Sequence, residues 1–183
     1  RDLAGQIIRA TGPGVLDCDP LRLLRAFRMA AVLGFAIEPA TLAAISQKSK
    51  KIRDTAGERI RDEWKKILRT CDSIRQIRQM DKAGLISVLF PELEALKTCV
   101  QNRHHEFNAF DHTLAVYGYL EQMLHQNDPA LAPKGPNDGL LTGPGGVELA
   151  KHAGLFHDVG KPVTRTTGAD GAIHFYHHPS AGA

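Results

Sequence analysis

Cysteine is scarce in this sequence and forms no pattern. Cys18, Cys71 and Cys99 are odd in number, far apart and without a C-x-x-C pair, which excludes a disulfide framework or a zinc knuckle and points to reduced thiols in the cytoplasm. Long hydrophobic runs are missing too. The longest, residues 29 to 37, is broken by Gly34, whereas a membrane span needs about 20 apolar residues. No membrane partner is expected, and no secretory leader opens the sequence. Strand-like alternation and internal repeats are nearly absent, so an all-α fold is expected. An even spread of charge is missing as well. Residues 1 to 93 hold 17 Lys and Arg against 11 Asp and Glu, residues 94 to 183 hold 6 against 9, and all nine histidines lie from His104 onward. That imbalance predicts two units, a basic one suited to polyanions and an acidic, histidine-rich one suited to metal. The chain begins at Arg1 without a methionine and ends in mid-pattern at Ala183, so a longer parent protein is expected.

Punctuation along the chain places the helices. Residues 2 to 10 read as a short helix stopped by Gly12-Pro13-Gly14. Asp19 followed by Pro20 signals a helix start, with Asp19 as N-cap and Pro20 at the first helical position, and Gly34 stops that helix. Further helices are predicted over residues 39 to 49, 58 to 68, 73 to 83, 111 to 125 and 147 to 159, and a turn through Leu89 is closed by Pro91. Residues 127 to 146 carry four prolines and five glycines, so they predict a mobile surface loop. Residues 172 to 176 predict a short extended piece.

The helix after Pro20 holds the most informative row of side chains. At about 100° per residue, Leu23, Leu24, Ala26, Phe27, Ala30, Ala31 and Leu33 fill one wide arc, and Arg22, Arg25 and Arg28 share the other with Leu21, Met29 and Val32. Arginines among apolar side chains are half-buried, so they are either paired with carboxylates of neighbouring helices or turned to a bound anion. Asp17-x-Asp19 imitates a two-metal carboxylate pair, but Asp19 is accounted for as a helix cap, so no metal is assigned there. Lys48, Lys50, Lys51 and Arg53 in KSKKIR form the best candidate for contact with a phosphate backbone.

In the second unit His157 and Asp158 stand together on the last turn of an apolar helix, and His112 stands on another. An adjacent imidazole and carboxylate close on one ion where a helix ends, and a third ligand from a neighbouring helix completes the set. Such an ion lowers the pKa of bound water and supplies a nucleophile for phosphoester cleavage. Lys161 is placed to meet a phosphate there. His104, His105, His125, His152, His174 and His177 are read as surface or supporting residues.

This H…HD pattern resembles the HD superfamily of metal-dependent phosphohydrolases, and FYHHPSAGA resembles its later histidine segment, which implies His178 as a further ligand. Six segments in order, DLAGQIIRA, DPLRLLRAFRMAAVLGFAIEP, ERIRDEWKKIL, AGLISVLFPEL, HHEFNAFDHTLAV and AGLFHDVGKPVTR, resemble the bacterial tRNA nucleotidyltransferase and poly(A) polymerase family, in the class with an HD domain. The resemblance implies a helical neck and body over residues 1 to 93 and a partial HD-type domain over 94 to 183. The family's nucleotidyltransferase head, with its metal-binding carboxylates and Mg2+, is expected upstream, so no residue here is assigned a catalytic role. The implied parent enzyme adds C, A or both to RNA 3′ ends, in tRNA repair or polyadenylation, with CTP, ATP and tRNA or another RNA end as partners. The other function the pattern admits is an HD phosphohydrolase acting on cyclic or terminal phosphates, with its own divalent metal.

Where the family carries Glu-Asp-x-x-Arg, this chain reads Cys18-Asp19-Pro20-Leu21-Arg22. The resemblance implies that Asp19 accepts a hydrogen bond from the exocyclic amino group of the base while Arg22 donates to the adjacent ring nitrogen. Cytosine and adenine share that edge, and uracil and guanine reverse it. Arg25 is expected nearer the ligand and Arg28 is expected to be structural. Arg59 is expected to pair with Asp62 or Glu63 at helical spacing. Cys18 departs from the pattern, since a thiol cannot hold Arg22 by a salt bridge.

Overall fold

The computed structural model describes residues 2–12, 14–100, 108–125 and 143–182. Packing divides the chain into unit 1, Arg1–Leu89, and unit 2, Phe90–Ala183. Helices carry nearly all the regular structure, as expected, and the strands among the described residues are two-residue pieces. No described helix is long and apolar enough to cross a membrane. His104, His105 and residues 127–142 of the expected loop lie outside the described residues.

Unit 1 is built on α2 (Leu21–Leu33), preceded by the short α1 (Val15–Cys18). The apolar arc goes inward: Leu23, Leu24, Phe27 and Ala30 are at most 1% exposed, and burying a leucine or phenylalanine contributes about 1.5–3 kcal/mol. Two edges of that arc differ from the expectation. Leu21 is buried and Leu33 is exposed. Gly34 takes φ +68° as expected, and its N–H caps Ala30 O. Against α2 pack α4 (Gly57–Leu68) and α5 (Ser73–Lys82) through Trp64, Ile67, Ile77 and Met80. Between them run α3 (Pro39–Lys48), a 3-10 helix (Ser49–Asp54) and, after α5, α6 (Leu85–Leu89).

The helix expected over residues 2 to 10 does not form. Turns lead instead into β1 (Ile7–Ile8), which pairs in parallel with β2 (Ala36–Ile37), Ile7 opposite Ala36 and Ile8 opposite Ile37. A partner almost thirty residues away supplies the backbone hydrogen bonds, so local periodicity misleads here. Arg9 fixes the crossing by ion pairs to Asp2 at 3.1 Å and Glu38 at 2.5 Å.

Unit 2 packs α7 (Pro91–Lys97) and α9 (Gly146–Phe156) on α8 (Ala109–His125). Pro91 opens α7 at its first turn rather than closing a turn. Asn108 caps α8, its side-chain oxygen accepting from Asp111 N at 2.8 Å. Gly154 lets α9 approach α8, since a Cβ there would lie 2.7 Å from Leu120 Cδ2. At that contact the fully buried Lys151 ammonium meets Glu121 at 2.6 Å. The helix expected to reach residue 159 ends at Phe156, and turns carry the chain to α10 (Lys161–Thr164). An antiparallel hairpin of β3 (Thr166–Thr167) and β4 (Ile173–His174), on the expected extended piece, leads to α11 (His178–Ala181).

Candidate functional site

In unit 1 a cleft of about 360 Å³ is walled on one side by Arg22, Arg25, Ala26 and Met29 of α2, and on the other by Ile8 to Thr11, Val15, Leu16 and Thr41. The α2 wall follows the i, i+3, i+4, i+7 spacing of one helix face. Arg22, Arg25 and Met29 belong to the arc that the arginines share and Ala26 to the edge of the apolar one, and the β1–β2 pairing left unread in the sequence brings the opposite wall to them.

Asp19 is the hub of the charges beside this cleft. Its carboxylate accepts from Leu21 N at 3.3 Å, but α2 starts at Leu21 with Pro20 as its N-cap residue, so Asp19 stands one residue outside the expected cap position. It also accepts from Arg25 Nη1 at 3.3 Å and from Arg59 Nη2 at 3.2 Å. Arg59 therefore reaches across to Asp19 rather than pairing along its own helix with Asp62 or Glu63. Arg22 lines the cleft and donates to Val15 O at 3.3 Å. Glu63, 7% exposed at its side chain, pairs with Arg28 at 2.6 Å and with Arg25 at 3.4 Å. Both readings of the arginine row thus have residues behind them: Arg28 and Arg25 meet carboxylates, and Arg22 and Arg25 face the open cleft. Cys18 is exposed.

The KSKKIR cations divide. Lys48 and Lys51 both hold the Asp17 carboxylate, Lys51 at 2.6 Å, which lowers the Asp17 pKa and raises that of Lys51. Lys50 and Arg53 are exposed and form no ion pair among the described residues.

In unit 2 four predicted residues converge. Ligand atoms of His112, His157 and Asp158 lie within 4.8 Å of one another. His157 Nε2 is 3.1 Å and His112 Nε2 3.8 Å from Asp158 Oδ2, and His178 Nε2 is 3.5 Å from Oδ1. Nδ1 of His157 lies 2.9 Å from Gly154 O, and Nδ1 of His178 lies 2.9 Å from Phe175 O. A carbonyl only accepts, so Nδ1 carries a proton in both rings; Nε2 then donates to Asp158 when the ring is charged and offers a lone pair to an ion when the ring is neutral. Atoms sharing one ion at bonds of about 2.1 Å sit roughly 3 to 3.5 Å apart; the His157 and His178 spacings to Asp158 match this, and that of His112, at 3.8 Å, is wider. Asp158 is 2% exposed. Burial pushes its carboxyl up, but hydrogen bonds from His157 and Lys161 outweigh this and hold it at about 2. The bond to Asp158 raises the His157 pKa against the effect of burial. Lys161 Nζ, 2.7 Å from Oδ2, balances the same charge.

Gly160 makes this convergence possible. A Cβ there would fall 2.0 Å from His178 O and 2.8 Å from Gly182 N, so only glycine lets the His178 turn lie against the Asp158 loop. Sequence reasoning missed Gly160, Glu63 and the Lys151–Glu121 pair. The glycine's close partner, His178, lies eighteen residues downstream, which no local pattern signals.

Residues 34–97 match a family model described as "Probable RNA and SrmB- binding site of polymerase A". The chain is 32% identical, over its full length and 39% of the relative's, to the A-adding tRNA nucleotidyltransferase of Deinococcus radiodurans. It is likewise 32% identical, over its full length and 41% of the relative's, to the multifunctional CCA protein of Haemophilus influenzae. Against the CC-adding tRNA nucleotidyltransferase of Geobacter sulfurreducens it is 42% identical over 49% of the chain and 21% of the relative. It spans about two-fifths of the length of the first two relatives. The fold is shared with a crystal structure of a tRNA nucleotidyltransferase complexed with a primer tRNA and an incoming ATP analog. That match has a TM-score of 0.58 and 20% identity, covering 85% of this chain and 40% of the other.

Proposed function

The chain belongs to the tRNA nucleotidyltransferase family, and from that membership we propose that unit 1 selects the incoming nucleotide and binds RNA for an enzyme that adds C, A or both to tRNA 3′ ends. The observation that carries the reading is Asp19 beside a cleft lined by Arg22 and Arg25. Asp19 and Arg22 take the base edge, the carboxylate accepting from the amino group of cytosine or adenine and the guanidinium donating to the ring nitrogen. UTP and GTP present the reverse polarity and leave buried groups unpaired, which costs far more than a lost contact. Arg25 faces the triphosphate, and Lys50 and Arg53, with Lys48 and Lys51 behind them, meet the RNA backbone. Relatives that add A, add CC or make the full CCA end support the C-or-A class, and a poly(A) product is the other member of it.

A second reading has its own observation. The cluster of His112, His157, Asp158 and His178 has the donor set of an HD-type metal centre, and we propose that it holds a divalent ion. Such an ion, when bound, supplies a water acidic enough to attack a phosphoester. His157 and His178 present Nε2, Asp158 carries the negative charge, and Lys161 is placed to meet a phosphate oxygen.

The test is to incubate the full-length protein with tRNA lacking its 3′ end and labelled CTP, ATP, UTP or GTP, and to read extension on a gel. Addition of C or A and exclusion of U and G is the expected result. No extension, with release of phosphate from cyclic or terminal phosphates in the presence of a divalent metal, would favour the second reading.

A further inference from the structure

We propose that Glu63 is a positioning residue for nucleotide choice and does the work that the family pattern gives to a glutamate at position 18, with Arg59 as the outer half of the same device. The inference rests on the reading of unit 1 as the nucleotide selector and concerns what holds its carboxylate in place.

A base-reading carboxylate must be fixed, because a freely rotating one accepts from any donor at many angles. The exposed Cys18 cannot do this by a charged bond. Asp19 is fixed all the same: Leu21 N and Arg59 Nη2 approach Oδ1, and Arg25 Nη1 and Arg59 Nη2 approach Oδ2. Arg25 is a long side chain, 40% exposed, and has little reason to stay in one rotamer by itself. Its Nε is held by Glu63 Oε1 at 3.4 Å. Glu63 is enclosed, 7% exposed at its side chain, and its other oxygen forms an ion pair with Arg28 at 2.6 Å. The order runs from the buried Glu63 through Arg25 to Asp19, and Arg59 closes it from the solvent side. Every link joins an ionised donor to an ionised acceptor, at 3.2 to 3.4 Å between Glu63, Arg25, Asp19 and Arg59 and as an ion pair at 2.6 Å between Glu63 and Arg28. Both ends of the device come from α4, the helix that packs on α2, so orientation is delegated from the residue beside Asp19 to a neighbouring helix.

The experiment compares full-length wild type with Glu63→Gln, Arg59→Gln, Cys18→Glu and the double variant Cys18→Glu/Glu63→Gln. It reads kcat/KM for CTP, ATP, UTP and GTP on tRNA lacking its 3′ end, together with the thermal unfolding midpoint. Glu63→Gln is expected to lower the preference for CTP over UTP roughly 10- to 100-fold. Cys18→Glu is expected to restore most of it in the double variant and to leave the wild-type preference unchanged. If Glu63→Gln does not fold, Arg59→Gln carries the test, since Arg59 is half exposed: it is expected to lose preference at an unchanged midpoint. A folded Glu63→Gln protein with wild-type preference overturns the inference. So does an equal loss for all four nucleotides without rescue, which marks Glu63 as a tie between helices, or an unaltered preference in Arg59→Gln when Glu63→Gln is unfolded. Asp19→Asn and Arg25→Ala separate the two levels: if they too leave the choice untouched, the selector reading itself fails, and if they abolish it while Glu63→Gln does not, only the positioning role is lost.

Discussion

Unit 1 and unit 2 each set cations around one carboxylate, yet the two arrangements suit different ligands. Asp19 in unit 1 is met by guanidinium groups, Arg25 and Arg59, which stay protonated and have no lone pair to give. Asp158 in unit 2 is met by three imidazoles with Nε2 turned inward and by one ammonium. Exposure differs too, at 22% for the Asp19 side chain and 2% for Asp158. A carboxylate fenced by arginines beside an open cleft suits hydrogen-bond donors on an organic ligand, as proposed for Asp19. A buried one ringed by imidazoles suits a metal ion, as proposed for Asp158. The partner residue type, rather than the acid, decides the chemistry.

Removing a cation from each unit should give the largest contrast. Lys151→Met leaves Glu121 buried without its ammonium, and chemical denaturation should show a loss of about 3–5 kcal/mol. Arg59→Gln removes a half-exposed pair and should cost below about 1 kcal/mol in the same measurement. Equal losses would erase the distinction between a closed pair and an open one.

Metal titration sharpens the comparison next. Mn2+ binding followed by calorimetry should weaken by more than about 100-fold in Asp158→Asn and stay unchanged in Asp19→Asn. Gly160→Ala, which pushes the His178 turn away, should weaken it by about 10- to 100-fold, the size typical of a lost supporting contact. Mn2+ affinity that survives Asp158→Asn would remove the metal reading from unit 2.

RNA binding measured against salt gives a smaller effect confined to unit 1. Lys50→Ala and Arg53→Ala should each lower the slope of log K on log salt by about 1. Lys48→Ala should lower it less, because Asp17 already occupies that ammonium. The smallest effect is on acid stability. The folded Asp17 pKa lies below its usual 3.8 through Lys48 and Lys51, so the pair's contribution is present above 3.8 and lost as pH falls through the depressed value. The Lys51 pKa lies above 10.5, so the same contribution is present below 10.5 and lost as pH rises beyond it. A pH series of unfolding midpoints on wild type and Asp17→Asn should differ above 3.8 and converge only below the depressed Asp17 pKa.

The features visible in the sequence were those with a short-range cause. Gly34 stops α2 through its own left-handed backbone, the arginine row follows helix geometry, and His157 beside Asp158 needs only one turn to place both groups. Features with a distant cause were hidden. Ile7 and Ile8 find their partner in β2, so the expected helix gave way to a strand. Arg59 has acidic neighbours at helical spacing, but its nearer carboxylate is Asp19 on another element. Glu63 was expected only as a partner for Arg59 at helical spacing, whereas it pairs with Arg28 of α2, and Lys151 meets Glu121 of another helix, which no local pattern signals.

The most direct measurement is extension of tRNA lacking its 3′ end by full-length protein carrying Asp19→Asn or Asp158→Asn, with all four nucleotides compared. An amide donates where a carboxylate only accepts, so Asp19→Asn should lose the preference for CTP and ATP or admit UTP and GTP, while Asp158→Asn keeps the wild-type choice. A changed choice in Asp158→Asn together with an unchanged one in Asp19→Asn would contradict the assignment of nucleotide selection to unit 1.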